Sequence, residues 1–138
     1  MKKIIGILAL LAFCFVSCLI DESKYNVFDD ENAITNNSDK VFERSSVIVN
    51  LGNNYSHRAK SLTGLKTIKT LDDGQKIDVN LSTTSGRFKL VLVDGNKVIT
   101  VCDENANSTF EFPELNGKKY KLKIVGDRAA FDLKIHFN

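Results

Sequence analysis

The stretch "KKYKLKIVGDRAAFDLKIHFN", residues 118–138, decides the fold. In its first half Tyr120, Leu122 and Ile124 alternate with Lys119, Lys121 and Lys123. In its second half Phe131, Leu133, Ile135 and Phe137 alternate with Asp132, Lys134 and His136. A period of two places one set of side chains in a core and the other in water, as in antiparallel sheets. Gly126-Asp127, between the halves, reads as a turn separating two strands.

The same pattern extends upstream. In "QKIDVNLST" (75–83) Ile77, Val79 and Leu81 alternate with Lys76, Asp78 and Asn80. In "RFKLVLV" (87–93) Phe88, Leu90 and Leu92 share a face and Val91 and Val93 lie opposite, so this strand is interior or covered by a loop. Asp94-Gly95 then predicts a hairpin with "KVITVC" (97–102), because glycine supplies the positive φ of a tight turn. Asp72-Asp73-Gly74, Ser85-Gly86 and Asn116-Gly117 read as further turns. "VFERSSVIVNL" (41–51) reads as a first strand and "YSHRAKSL" (55–62) as a loop or short helix. Strand candidates separated by turn signals every 10–12 residues predict an all-β fold, an antiparallel β-sandwich of about seven or eight strands over residues 41–138. The expected core is Val47, Val49, Ile77, Val79, Leu81, Phe88, Leu90, Leu92, Tyr120, Leu122, Ile124, Phe131, Leu133 and Ile135. The segment "GKKYKLKIVG" and the alternating strand after it resemble the closing strands of small secreted jelly-roll and immunoglobulin-like modules. That generic likeness carries no functional residues.

The other end of the chain reads differently. Residues 4–20, "IIGILALLAFCFVSCLI", carry no charge, follow Lys2 and Lys3, and precede Asp21 and Glu22. A basic start, a short apolar run and a small residue near its end describe a secretory signal peptide. A run of 17 residues stands at the lower limit for a bilayer span, so an uncleaved anchor is the alternative. Phe15-Val16-Ser17-Cys18 resembles the lipobox of bacterial lipoproteins, in which a small residue precedes the cysteine that is lipidated before cleavage. Cys14 follows Phe13, a bulky residue where a small one is needed, and is assigned to the discarded run. The resemblance implies a signal peptide at 1–17, a diacylglyceryl group on Cys18 and a chain held to the membrane by its acyl chains. Abundant Lys, Asn and Ile point to a low-GC bacterium, hence an exterior-facing protein on a single membrane.

Maturation changes the arithmetic. Loss of Lys2 and Lys3 leaves 17 basic against 17 acidic residues, so the +2 belongs to the precursor. A balanced charge argues against nucleic acid as a partner. Lipidated Cys18 leaves Cys102 as the one free thiol, and Cys102 with His57 and His136 is too small a set for a zinc site. Residues 18–40 read as a lipidated, acidic, flexible tether, although Tyr25, Val27, Phe28 and Ile34 allow the segment to add an edge strand or wrap the domain instead.

No motif names a catalytic machine: there is no G-x-S-x-G, H-E-x-x-H or phosphate-binding glycine loop. His57 falls in a polar loop and His136 on the polar face of the last strand. Cys102 is expected to be buried, with Asp103 and Glu104 raising its pKa. The acidic stretches 72–78 and 102–108 lack EF-hand spacing and read as turns. The one surface feature is a lysine stripe, Lys119, Lys121 and Lys123 with Lys134, suited to an anionic envelope component or protein partner, or simply to solubility. The expectation is a membrane-anchored, non-catalytic binding module without a cofactor. An inhibitor or immunity protein, or a hydrolase using loop carboxylates or Cys102, is the alternative.

Overall fold

A computed structural model describes residues 21–36, 38–72, 74–103, 105–111 and 119–138. The lipobox residues, Cys14 and Cys18 lie outside these, as do Asp73, Glu104 and Asn116-Gly117. Among the described residues the chain is all-β apart from a 3-10 turn at Glu22–Tyr25 and a short helix α1 at Glu31–Asn36. Seven strands form one antiparallel sheet: β1 (Lys40–Arg44), β2 (Val47–Leu51), β3 (Asn54–Asp72), β4 (Lys76–Asp94), β5 (Lys97–Cys102), β6 (Ala106–Glu111) and β7 (Lys119–Phe137).

β7 is the centre, flanked by β3 and β4, and each of these three strands has 19 residues. The edges are shared. β2 pairs with the start of β3 and β1 with its middle, and β6 and β5 pair with the two ends of β4. The chain read as one strand at 41–51 is therefore two, broken at Ser45 where φ is 50°. Tyr55–Leu62 is strand rather than loop or helix, being the first part of β3.

Register requires the sheet to double over. Asp72 pairs with Lys119 at one end of β7, whereas Ile77 pairs with Phe137 at the other. A straight strand of this length would reach roughly 60 Å. The four residues from Asp72 to Lys76 span at most about 14 Å. The ends of the sheet must therefore meet. The fold line is marked by register shifts in β3 between Ala59 and Gly64 and in β4 between Thr83 and Arg87, and by Arg128 at φ 52° in β7. The front half contains β2, β6, the first halves of β3 and β4, and the second half of β7. The rear half contains the remainder. The crease joins them into a sandwich.

The crease explains the two turns that are not turns. Inward residues of β7 are even-numbered before it (Tyr120, Leu122, Ile124) and odd-numbered after it (Ala129, Phe131, Leu133, Ile135, Phe137). An extra residue in a strand bends it and restores the inward face after the bend. Gly126-Asp127 and Ser85-Gly86 thus lie within β7 and β4. One core cluster joins both halves, with Tyr55, Ile77, Leu81 and Leu133 meeting Leu71, Leu90, Tyr120 and Leu122. Twelve of the fourteen expected core residues are buried. Val47 and Val49 are exposed, at 54% and 44%, because Val47 pairs with Arg58 and Val49 with Ser56 on the outer face of an edge strand.

Residues 21–36 are not a free tether. Ile34 is fully buried on the outer face of the rear half, against Leu65, Val91, Val93 and Val125, with Val27 and Phe28 beside it. This is the cover that the two-sided apolar pattern of β4 needs. Asp30 accepts from the Ala33 amide (3.0 Å) and caps α1. Lys123 donates to the Ile34 carbonyl (2.9 Å) and Lys89 to the Phe28 carbonyl (2.6 Å). Phe28 stands against Arg87 and Lys89, 4.3 and 4.4 Å from its ring centroid. Arg87 forks onto Asp29 and also reaches Asp127. The segment is a strap across the sheet.

Candidate functional site

The lysine stripe is broken by this strap. Lys123 is 2% exposed beneath Ile34, and burial pushes its ammonium below the usual lysine range. Lys119 and Lys121 remain exposed on the rear half, while Lys134 lies on the front half beyond the crease. The four lysines do not form one surface.

Lys134 belongs instead to a cleft of about 690 Å³ on the outer face of the front half. Strand register builds it in rows, because directly paired residues share a face. One row runs Leu51, Asn54, His136, Asp78 and Thr109 across five strands. The next runs Val49, Ser56, Lys134, Asn80 and Asn107. The floor is mainly amide and hydroxyl, and exposed Val49 and Leu51 form an aliphatic rim on β2. His136 Nδ1 lies 2.8 Å from Asn54 Oδ1. Asp78 accepts from the Thr109 hydroxyl (2.5 Å) and the Asn138 amide (3.2 Å), bonds that hold its carboxyl below the usual range, with His136 adding to the effect. The polar alternates of 75–83 and 130–138 already contained four of the eight polar residues in these rows: Asp78, Asn80, Lys134 and His136. Their convergence with Asn54, Ser56, Asn107 and Thr109 depends on register, which no single strand pattern records.

His57 is inside the sandwich, not in a loop. It is fully buried on β3 and faces Phe131 edge-on at 5.0 Å. The Tyr55 hydroxyl lies 3.1 Å from Nδ1, and Glu43 Oε1 lies 2.5 Å from Nε2, close but out of line for a hydrogen bond. Burial and the Glu43 charge push Tyr55 up to about 12, so its hydroxyl stays protonated. Burial also lowers the His57 pKa, assisted by Lys66, while Glu43 opposes the shift. The folded protein therefore binds a proton at His57 less readily than the unfolded chain does. This contribution is complete above the ordinary histidine value of about 6.5 and is lost as pH falls below it. Denaturant titrations should show stability declining from pH 7 to pH 5, by at most about 2 kcal/mol from this residue. His57→Gln should flatten that slope, and an unchanged slope would remove His57 as its source.

Cys102 is half-buried against the core at the end of β5. Burial, then Asp103, pushes its thiol up to about 11, so little thiolate forms at neutral pH. In the acidic turn at Asp72 the backbone amide donates to Gln75 Oε1 (3.0 Å). Among the described residues no cluster of His, Cys, Asp and Glu is arranged to hold a metal, and no helix is long and apolar enough to cross a membrane. No protein-family model, curated protein or solved structure is similar to this chain at a significant level.

Proposed function

We propose that the protein is a lipid-anchored bacterial surface module that binds an extended segment of a protein partner without catalysing a reaction. The anchor is Cys18, on the lipobox resemblance of residues 15–18. The cleft carries the reading. Amides and hydroxyls floor it together with Asp78, Lys134 and His136, and its rim is an edge strand with four exposed aliphatic side chains: Val47, Ile48, Val49 and Leu51. Among the described residues β2 pairs only with β3, so its other side offers backbone donors and acceptors. An added strand uses those groups while its side chains enter the neighbouring cleft. Cys102, with its raised thiol, and His57, enclosed by Tyr55, Glu43 and Phe131, favour binding over hydrolysis.

The test is cross-linked capture from the native envelope with the mature protein. Val49→Glu combined with Lys134→Glu changes two exposed cleft side chains and should abolish capture of the wild-type partner. Lys119→Glu on the rear half should leave capture intact. The opposite pattern would move the binding surface to the rear half.

A further inference from the structure

The strap changes where the domain must sit. If residues 18–40 were a tether, the sandwich would stand well clear of the bilayer. Asp21 already takes part in ordered structure, its carboxylate accepting from the Ser23 amide (3.1 Å). Glu22 pairs with Arg44 (3.0 Å), and Tyr25 lies against Phe42, ring centroids 5.8 Å apart. Only two residues, Leu19 and Ile20, separate Cys18 from Asp21, and three chain steps reach at most about 11 Å. Whatever adjoins Asp21 is therefore close to the acyl chains.

What adjoins Asp21 is the crease. Lys24 and Arg128 lie within electrostatic range of its carboxylate, and Arg128 is the crease residue of β7. Lys40 stands over the Tyr25 ring at 5.3 Å. Lys60 lines the crease, beside Ser45, Thr84 and Ala130. Among the described residues, no carboxylate forms an ion pair with Lys24, Lys40, Lys60 or Arg128. The neighbouring acids Glu22, Asp29 and Asp127 are engaged by Arg44 and Arg87. Among the described residues Asp21 and Asp132 also lie here without an ion pair, so beside the attachment point Lys24, Lys40, Lys60 and Arg128 outnumber the free carboxylates by four to two.

We propose that the crease is the membrane-facing side of the protein, held against anionic lipid headgroups, and that the cleft points away from the bilayer. This rests on the assignment of Cys18 as the lipidated residue. Unpaired lysines and arginines next to an acyl anchor supply the second, electrostatic contact with an anionic leaflet. Along β7 the cleft residue His136 stands eight residues beyond Arg128, about 26 Å at the rise of a strand. The same strand that touches the headgroups therefore carries the cleft out to where a partner reaches it.

The mature lipoprotein is to be reconstituted in vesicles containing phosphatidylglycerol and a headgroup-linked quencher. A dye is placed on Thr84→Cys at the crease or on Asn107→Cys in the cleft; Cys102, with its raised thiol, labels slowly at neutral pH. The crease dye should be quenched several-fold more strongly than the cleft dye. Combining Lys24→Glu, Lys40→Glu and Arg128→Glu should shrink that difference, as should added salt. Equal quenching, or stronger quenching in the cleft, overturns the orientation while intact mass still showing the diacylglyceryl group preserves the anchor. A mature mass without that group, on protein that does not float with vesicles, overturns both.

Discussion

Gly86→Ala should cost the protein at least about 3 kcal/mol, enough to lower Tm by more than ten degrees in a domain of this size. Gly86 holds φ at 72° in the crease of β4, where an L side chain is strained. More important, a Cβ there would lie 2.1 Å from the Arg128 carbonyl oxygen and 2.7 Å from that of Asp127. Those are backbone atoms of the central strand and cannot rotate away. The two strands must separate at the point where the sheet doubles over. Gly95 supplies the control. Its φ is 56° in the β4–β5 hairpin, but a Cβ there meets nothing within 4 Å. Gly95→Ala therefore carries only the conformational cost, about 1 kcal/mol. Thermal melts of the two variants separate crowding at the crease from left-handed strain. Equal losses would show that the close approach of β4 and β7 contributes nothing.

Ile34→Ala should cost about 2–5 kcal/mol, because it empties a fully buried site between α1 and Leu65, Val91, Val93 and Val125. The loss should concentrate in the strap. Protease should cleave within residues 21–36 sooner than in the wild type, and amide exchange should rise there before it rises in β7. Asn32→Ala, on the exposed side of the same helix, should stay within about 0.5 kcal/mol of wild type. A free tether would make both substitutions silent. Two lysine-to-carbonyl bonds and the Arg87 fork also hold the strap, so an intermediate result at Ile34 with rapid proteolysis still distinguishes strap from tether.

Much of the fold was legible because period-two alternation is local. "QKIDVNLST" and "AFDLKIHFN" each place their own inward face, and those residues are buried. The hairpin at Gly95 was legible for the same reason, since its φ belongs to one residue. The crease was not. A glycine followed by a parity change looks alike whether the chain turns back or the strand bends and continues, and only pairing with neighbours distinguishes them. Val47 and Val49 misled because an edge strand of apolar residues has the composition of a core strand.

The cleft and the strap lay further from reach. Asp78, Asn80, Lys134 and His136 were visible as outward residues, but their meeting with Asn54, Ser56, Asn107 and Thr109 joins four separate strands. Lys123 read as one of three equivalent lysines until Ile34, distant in sequence, covered it. The acidic composition of residues 21–36 suggested solvation, whereas Val27, Phe28 and Ile34 match an otherwise uncovered apolar face on β3, β4 and β7. By itself the sequence determined the all-β class and most of the core, because those depend on neighbours a few residues apart. Tertiary structure alone decided where the sheet folds, which polar faces converge and what the amino-terminal segment covers, because each is a contact between residues that chain order keeps apart.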